Sequence, residues 1–432
     1  LPKKSETFEF VDMSPEQGAV YTILMMDLLK DNKDMLDAAG AYYLKQGKIG
    51  QEKFERLKQY LLTLMTGSKT EDDDSEAGKL VESMRINDVG DADELEDDEK
   101  KAIDALNTSG RNKGKGIESL IEEKKRSIAT KASQLQAFIS APQALKPSMF
   151  SEHAQAQLEA MNNEMPKSTA KDLLCYQLIE KHWASLGGAY MAMSKQKQQF
   201  GEGSDKLRGK VIIFALNNAI VEHVYAYLKT TPLAKQVGIY IKSGEYAAKR
   251  EQNLDDFKNA ENEDCAIIVA AETSVIYGQN MQAGDLMIKL TLPWTTGDYD
   301  QAVARIYRNG QKLPCEVVNV VTNGSFEVGK LAKFLIRENS NRKLISDYTN
   351  NHDLAAALGS LDDASMVMYQ TKRDVENLEY KVYPPGTTAK QKESGEVQPI
   401  AVRRVNCLEL HEDVYKSELR EAEKMADIFT NA

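Results

Sequence analysis

Short apolar runs alternate with segments of helical periodicity through the middle of the chain. The apolar runs lie at 211–215, 237–241, 265–269, 286–290 and 317–321, and the helical segments between them at 218–228, 247–258 and 299–308. Strands buried on both faces and alternating with helices are typical of a parallel sheet with right-handed crossovers. The pattern therefore predicts a three-layer α/β domain. Ligands of such a sheet bind beyond the carboxyl ends of its strands, so the loops after positions 215, 241, 271 and 290 are expected to hold the chemistry.

The first 205 residues have a different pattern. Phe8 and Phe10 alternate with polar residues, which predicts one short strand at 5–13. Ser14 and Pro15 then mark a helix start, as N-cap and first helical residue. Helical spacing continues to 66 and resumes at 117–139 and 171–193. Residues 15–205 are therefore predicted to form a mainly helical block.

One acidic segment interrupts this helical block. Residues 71–100 hold 14 acidic and 3 basic side chains, which accounts for the whole formal net charge of −11. We expect a mobile loop near 67–116, because so much like charge cannot bury enough apolar surface to offset the ordering entropy. The rest of the chain is neutral, so its composition is compatible with a local basic groove.

Cysteine and histidine usage indicates neither a zinc site nor a disulfide framework. The four cysteines are far apart, without a CxxC pair, and the five histidines are scattered. For Cys265 and Cys315 we expect small buried core residues. No stretch approaches the roughly 20 apolar residues of a spanning helix. We therefore expect a reducing, intracellular location (cytoplasm, nucleoid or nucleus) and no membrane partner. The Leu1-Pro2-Lys3 start suggests that the chain begins inside a longer protein.

The segment 301–311 contains the most informative charged pair. Arg305 and Arg308 are three residues apart, so they are predicted to lie on one face of the helix after Asp298, close to the strand ends. Two guanidinium groups on one face suit a polyphosphate, because each can donate two hydrogen bonds to its oxygens. Spacing alone also allows a solvated basic face paired with nearby carboxylates.

Several blocks around this pair occur in the order of a known family. Segment 210–214 corresponds to its motif four, Ser243-Gly244 with Arg250 and Phe257 to the next block, and 271–285 to motif five. Motif six is matched by Gln301, Ala302, Arg305, Arg308, Gly310 and Gln311. On these residues the chain resembles the C-terminal lobe of the Swi/Snf-type DNA translocases of helicase superfamily two.

The resemblance implies a domain organisation. A segment entering from an absent first lobe would occupy 1–14, and a helical insertion 15–205. A second RecA-like lobe with a parallel sheet would occupy 206–350, and a helical C-terminal extension 351–432. The intact protein would then be an ATP-dependent translocase or helicase that tracks along duplex DNA through its phosphate backbone. ATP and Mg²⁺ would be bound mainly by the absent N-terminal RecA-like lobe.

The resemblance also assigns roles to single residues. Arg305 and Arg308 would be arginine fingers, and Gln301 would help couple nucleotide to DNA. Gly278 and Asp285 would join the two arginines in binding the nucleotide. Phosphate-backbone contacts, which carry no sequence information, would come from Asn217, Ser243, Gly244, Thr273, Ser274, Gly278 and Asn280, with Trp294 able to stack on a base.

The chain departs from the family pattern at several positions. Ala271-Glu272 stands where the family has Ser-Thr, Val275-Ile276 where it has two glycines, and Ala304 and Tyr307 where it has Gly and His. An acid at 272 would repel phosphate if it faced the groove. These departures fit a divergent member, for example a viral one. The sequence also has no GxxxxGK[ST] phosphate loop, so we expect no ATP hydrolysis by this chain alone.

Two other functions stay open from the sequence. A degenerate helicase lobe with an acidic helical insertion could serve as a non-enzymatic docking module for a protein or a nucleic acid, and Glu272 favours this modestly. An RNA-directed helicase on the same scaffold would use the same phosphate contacts. The sequence therefore predicts a helicase lobe without separating these two alternatives from a DNA motor.

Overall fold

The computed structural model describes residues 4–45, 117–161, 166–186, 209–242, 246–259, 265–275, 279–293, 295–311, 313–328, 330–331, 334 and 380–406. The chain divides into two compact units. Unit 1 comprises Leu1–Pro15, Ala137–Ala144 and Met165–Ala432, and unit 2 comprises Glu16–Gln136 and Leu145–Glu164. The predicted acidic loop near 67–116 lies outside the described residues.

Unit 1 contains a sheet that the described residues form from eight strands. The strands are β1 (Lys4–Val11), β2 (Val211–Ala215), β3 (Val237–Tyr240), β4 (Ile267–Ala271), β5 (Leu286–Lys289), β6 (Cys315–Thr322), β7 (Tyr380–Val382) and β8 (Ile400–Asn406). Their order across the sheet is β3-β4-β2-β5-β6-β1-β8-β7. The first six of these neighbours pair in parallel, whereas β8 pairs antiparallel with both β1 and β7. The sheet is mostly parallel, as the apolar runs predicted.

In chain order, the α-helices of the described residues lie between these strands. They are α1 (Pro15–Lys45), α2 (Ile117–Ser140), α3 (Glu152–Ala160), α4 (Ala170–Ser185), α5 (Asn218–Lys229), α6 (Arg250–Lys258), α7 (Glu272–Val275), α8 (Thr296–Val303) and α9 (Ala389–Ser394). In this described part of the chain, no helix combines the length and apolar character needed to cross a bilayer.

The sheet of unit 1 is covered on both faces. One hydrophobic cluster joins Val211, Ile213 and Ala215 of β2 to α4 and α5. The alternate residues Ile212 and Phe214 join a second cluster with α6 and α8. Successive strand residues point to opposite faces, so a strand inside a three-layer domain must be apolar throughout. The alternation of clusters therefore confirms the predicted RecA-like α/β fold.

The N-terminal strand is an internal strand of this sheet. Where the sequence predicts a segment entering at 1–14, β1 lies between β6 and β8, with Lys4 opposite Cys315 and Val11 opposite Thr322 on the β6 side. The buried Phe8 and Phe10 pack in the same cluster as α8. The alternating pattern at 5–13 thus predicted the strand correctly but not its partners.

The C-terminal segment adds two strands that the sequence did not predict. The tail was expected to be helical, yet β7 and β8 extend the sheet beyond β1. The carboxylate of Glu9 in β1 is fully buried and accepts hydrogen bonds from the Tyr380 hydroxyl at 2.9 Å and from Nε of Arg404. Burial raises the pKa of Glu9, while Arg404 and Tyr380 oppose this rise. The predicted final helix at 412–429 lies outside the described residues.

Removing the Arg404 side chain should weaken the attachment of β8. In Arg404→Ala, Glu9 would stay buried without its cation, and we expect a loss of about 2 kcal/mol, below the full cost of breaking a buried pair because Arg404 is partly exposed. The urea midpoint of the chain measures this loss, and limited proteolysis should cleave faster within 380–406. Arg403→Ala is the matched control, because Arg403 makes no ion pair within the described residues. Equal midpoints for the two variants would contradict the prediction.

The buried cysteines belong to the core of unit 1. Cys175, Cys265 and Cys315 are all buried, which confirms the prediction for Cys265 and Cys315. Burial raises the pKa of the Cys265 thiol to about 12. Such a thiol stays protonated at neutral pH and is a poor nucleophile.

Unit 2 is held by a buried ionic cluster between its helices. Lys131 of α2 donates to Asp27 at 2.6 Å and lies 2.5 Å from Asp31, both on α1. Lys124 also pairs with Asp31 at 2.6 Å, and the Ser151 amide donates to Asp27. Although burial raises the pKa of Asp27, the hydrogen bonds from Lys131 and Ser151 lower it below its usual value. These pairs fix α1 and α2 against each other within this unit.

Candidate functional site

The loop before β5 and the turn after α8 are joined by hydrogen bonds. Residues 279–285 end the segment that resembles motif five, and residues 304–311 end the one that resembles motif six. The hydrogen bonds that join them include those from the Met281 amide to the Arg305 carbonyl (3.1 Å), from the Gln282 side chain to the Asn309 carbonyl (2.6 Å), and from the Gln311 side chain to the Gly284 carbonyl (3.2 Å). The structure therefore brings together two segments that are about 20 residues apart in sequence.

Gln311 has a structural role in joining this loop to this turn. Its buried amide nitrogen also donates to the carbonyls of Gln282 and Ile306, and its oxygen accepts from the Leu313 amide. Gly310 precedes it with φ +94°, a conformation that side chains rarely adopt. Gly310 and Gln311, which both match motif six, thus close the turn.

Arg305 and Arg308 lie on this turn and not on a helix face, contrary to the prediction. Helix α8 ends at Val303, five residues before the predicted end, and residues 304–310 are turns and bends. The Arg305 carbonyl is bonded to the loop that leads into β5, so the pair lies near the amino end of that strand. The sequence had placed both arginines at the carboxyl edge of the sheet, and the structure corrects this.

Among the described residues, no carboxylate pairs with Arg305 or Arg308. Nε of Arg305 is buried and has no hydrogen-bond partner among the described residues. Burial and the adjacent Arg308 both lower the pKa of Arg305. Arg308 is exposed, and within the described ranges neither arginine forms a salt bridge. A buried donor without a partner costs about 1–3 kcal/mol, so an anion bound here would remove an existing penalty.

The remaining predicted coupling residue, Gln301, is exposed on α8, four residues before Arg305. It lies in the last part of the helix. Its side chain is therefore accessible to a ligand.

Two of the predicted phosphate contacts lie at the carboxyl edge of the sheet. Asn217 follows β2 and caps α5, where its side-chain oxygen accepts from the Ala219 amide at 2.9 Å. Thr273 follows β4, the neighbour of β2, and is exposed. Ser274 is buried, so its predicted exposure to a phosphate backbone is not observed. The carboxyl edge therefore presents Asn217 and Thr273 together.

Asn280 lies instead with the arginine turn. Its side chain donates to Gln282 Oε1 at 3.1 Å and accepts from the Gln282 amide at 3.2 Å. It therefore shapes the loop whose next residue, Met281, binds the Arg305 carbonyl. The predicted contacts Ser243, Gly244, Gly278 and Trp294 lie outside the described residues.

Asp285 is a buried structural acid, which corrects its assignment to the nucleotide. It immediately precedes β5, at the amino end of the strand, and is 1% exposed. Its two carboxylate oxygens accept from the Gly209 amide, each at 3.0 Å, and His182 Nε2 lies 3.2 Å from one of them. The carboxylate therefore fixes the approach of the chain to β2.

Glu272 forms a buried ion pair that sequence reasoning missed. Its carboxylate lies 2.7 Å from Nζ of Lys289, and both side chains are 0% exposed. Burial lowers the pKa of Lys289, and the charge of Glu272 opposes this. Glu272 consequently does not face a groove where it would repel phosphate. A lysine inside the apolar run 286–290 was the available signal, because an isolated charge in a buried strand requires a partner.

A second buried pair lies on the opposite face of the same sheet edge. Lys171 of α4 donates to the Leu290 carbonyl at 2.6 Å and to Glu327 at 2.7 Å. Lys330 is also buried and donates to the Leu292 carbonyl. Burial lowers the pKa of Lys330 to about 7, which Glu327 and Glu272 oppose. These lysines hold the strand ends together and do not form a basic surface.

No group of three or more potential metal ligands occurs within the described ranges. The described residues of this surface present two guanidinium groups together with amide and hydroxyl groups. Such groups suit oxyanions, and phosphate in particular.

Comparison with known proteins agrees with the motif order. Residues 194–310 match the family model of the helicase conserved C-terminal domain. The chain is 28% identical over 152 residues to a RAD54-like DNA repair and recombination protein of Drosophila willistoni, covering 32% of this chain and 19% of the relative. The Drosophila pseudoobscura pseudoobscura protein of that name is 25% identical over 214 residues, covering 43% of this chain and 27% of the relative. The chain thus spans less than a third of either relative.

Two solved structures overlap most of the chain at low identity. The C-terminal part of the Fun30 ATPase domain is 16% identical, with a TM-score of 0.37, covering 85% of this chain and 97% of that one. The Sulfolobus solfataricus SWI2/SNF2 ATPase core in complex with dsDNA is 13% identical, with a TM-score of 0.38, covering 86% and 51%. The matched domain and the RAD54-like relatives, together with the RecA-like sheet, show that this chain carries a C-terminal helicase lobe of the Swi/Snf type, from superfamily two.

Proposed function

We propose that the chain is the C-terminal half of an ATP-dependent DNA translocase, in which Arg305 and Arg308 contact the phosphates of an ATP bound by another lobe. The observation that carries this proposal is the arginine pair itself. Nε of Arg305 is buried without a partner among the described residues, and Arg308 adds a second positive charge beside it. A bound polyphosphate would supply both the acceptor and the counter-charge.

The chemistry follows from where charge develops in phosphoryl transfer. The oxygens of the transferred phosphoryl group share negative charge in the transition state, and a guanidinium group can donate two parallel hydrogen bonds to them. Arg305 would bind and orient these oxygens through its partly buried side chain, while the exposed Arg308 would reach further out. ATP and its Mg²⁺ would be held mainly by the N-terminal RecA-like lobe, because this chain has neither a phosphate loop nor, within the described residues, a group of metal-binding side chains.

The phosphate backbone of DNA would meet the carboxyl edge of the sheet. Asn217 and Thr273 already lie at that edge, and short polar side chains contact phosphates without reading sequence. The names of the RAD54-like relatives support DNA as the polymer, and an intracellular location follows from that substrate. Since Glu272 is neutralised by Lys289, the main sequence argument for a non-enzymatic docking module is weakened.

Steady-state ATP hydrolysis by the full-length protein tests this function. We expect duplex DNA to raise the rate more than single-stranded DNA or RNA of equal length, and this chain alone to be inactive. Stronger stimulation by RNA would indicate an RNA-directed helicase. If no nucleic acid stimulates hydrolysis, the motor proposal is wrong and the docking module becomes the better explanation.

A further inference from the structure

The two candidate surfaces lie at different ends of the strands. Thr273 and Asn217 are at the carboxyl edge, whereas the arginine turn is bonded to the loop at the amino end of β5. Helix α8 begins after the carboxyl end of β5 and runs to the arginine turn. The segment 272–285 makes the same passage from β4 to β5. These two segments therefore connect the carboxyl edge of the sheet to the arginine turn.

Lys289 contacts both of these segments at the carboxyl edge. Its Nζ lies 2.7 Å from Glu272, the first residue of the segment after β4. The same atom lies 5.0 Å from the ring centroid of Tyr299 in α8, within the range of a cation–π interaction. A single buried ammonium group thus links the segment that carries Thr273 to the helix that leads to Arg305.

Tyr299 is in turn fixed to the sheet. Its hydroxyl accepts from Asn319 Nδ2 of β6 at 2.9 Å and donates to Glu6 of β1. Its ring packs edge-on against Phe334, with centroids 5.0 Å apart. Movement of α8 relative to the sheet would therefore disturb the contacts of Tyr299 with Asn319, Glu6 and Phe334. It would also change the distance between the Tyr299 ring and Lys289.

Burial makes the ion pair between Glu272 and Lys289 costly to separate. Separating a buried ion pair leaves an uncompensated charge, at a cost of about 3–5 kcal/mol. Glu272 and Lys289 are both fully buried, so the segment after β4 cannot leave β5 without that cost. Helix α8 is held to the same ammonium group by the weaker cation–π contact of Tyr299.

We propose that Lys289, through Glu272 and Tyr299, is a positioning residue that couples DNA binding at the carboxyl edge to the placement of the arginine turn. This inference rests on the proposed function. It concerns a charge pair at position 272, where the family that the sequence resembles usually has a threonine.

The test uses a double variant that removes both charges and keeps the volume. Glu272→Leu with Lys289→Met should fold normally, because replacing a buried pair with apolar residues is often neutral for stability. We expect the stimulation of kcat by duplex DNA to fall about tenfold, the upper part of the range for coupling energies. KM for ATP should stay within about twofold, because the arginines themselves are retained. The urea midpoint verifies folding.

The matched control is the other buried pair at this edge. Lys171→Met with Glu327→Leu also exchanges an ion pair for apolar side chains, but its contacts are with β5 and β6 and not with α8. This variant should keep its DNA stimulation. Full stimulation in the Glu272/Lys289 double variant, or equal loss in the control, would overturn the coupling role while leaving the motor intact. A wild-type protein that DNA does not stimulate would instead contradict the proposed function.

Discussion

Replacement of Arg305 with alanine in the full-length protein is expected to lower DNA-stimulated ATP hydrolysis by about a thousandfold, the smaller end of the range for arginine fingers. Affinity for duplex DNA should be nearly unchanged, because the turn lies away from the carboxyl edge where Asn217 and Thr273 are found. Steady-state kcat at saturating DNA and fluorescence anisotropy with a labelled duplex measure the two effects separately.

Related variants separate charge from geometry at the same turn. Arg305→Lys keeps the charge but loses the planar fork, so its kcat should fall between those of wild type and alanine. Arg308→Ala should also abolish stimulated hydrolysis. Arg126→Ala, an exposed arginine of α2, is the matched control and should behave as wild type. Full activity in both Arg305→Ala and Arg308→Ala would remove the basis of the assignment.

Lys171→Met alone is expected to destabilise the chain by about 3 kcal/mol, the lower end of the range for a broken buried pair, because Glu327 would lose its paired cation and keep only the electrostatic interaction with Lys330. The Glu327 side chain is 5% exposed, so solvent offers little compensation. The same substitution removes the donor to the Leu290 carbonyl. Urea-induced unfolding, followed by the fluorescence of the two tryptophans, should show a clearly lower midpoint.

Adding Glu327→Leu to this variant should recover most of the loss. The second substitution removes the unpaired charge, although the Thr322 amide then loses its carboxylate acceptor. Lys235→Met, at an exposed position of the same unit, should change the midpoint by less than about 0.5 kcal/mol. A double variant as unstable as Lys171→Met would show that packing, and not the charge pair, determines the stability of this edge.

The location of the arginine pair shows where sequence spacing stops being informative. Residues three apart share a helix face only if the helix continues through them, and α8 ends at Val303. The turn that follows is held by hydrogen bonds from the nearby Gln311 to the Ile306 carbonyl and from Met281, which is distant in sequence, to the Arg305 carbonyl. No local property of 299–308 indicates that these partners are present, so the pattern predicted five helical residues too many.

The charges at 272 and 289 give a second example. Each one alone looks unfavourable: an acid in a phosphate-binding segment and a lysine in a buried strand. The parallel pairing of β4 with β2 and of β2 with β5 brings them within 2.7 Å, where they neutralise each other. The lysine in an apolar run indicates that a buried partner is needed, but the separation of 17 residues does not identify Glu272 as that partner.

The sequence by itself determined the α/β class, the parallel strands β2 to β6 and the order of the helicase motifs, because a strand buried on both faces must be apolar at every position. Only the tertiary structure decided that β1 and the short β7 and β8 join the sheet, where α8 ends, and which buried charges pair. Each of these depends on contacts between residues distant in sequence. These contacts stabilise the protein only after the sheet has formed.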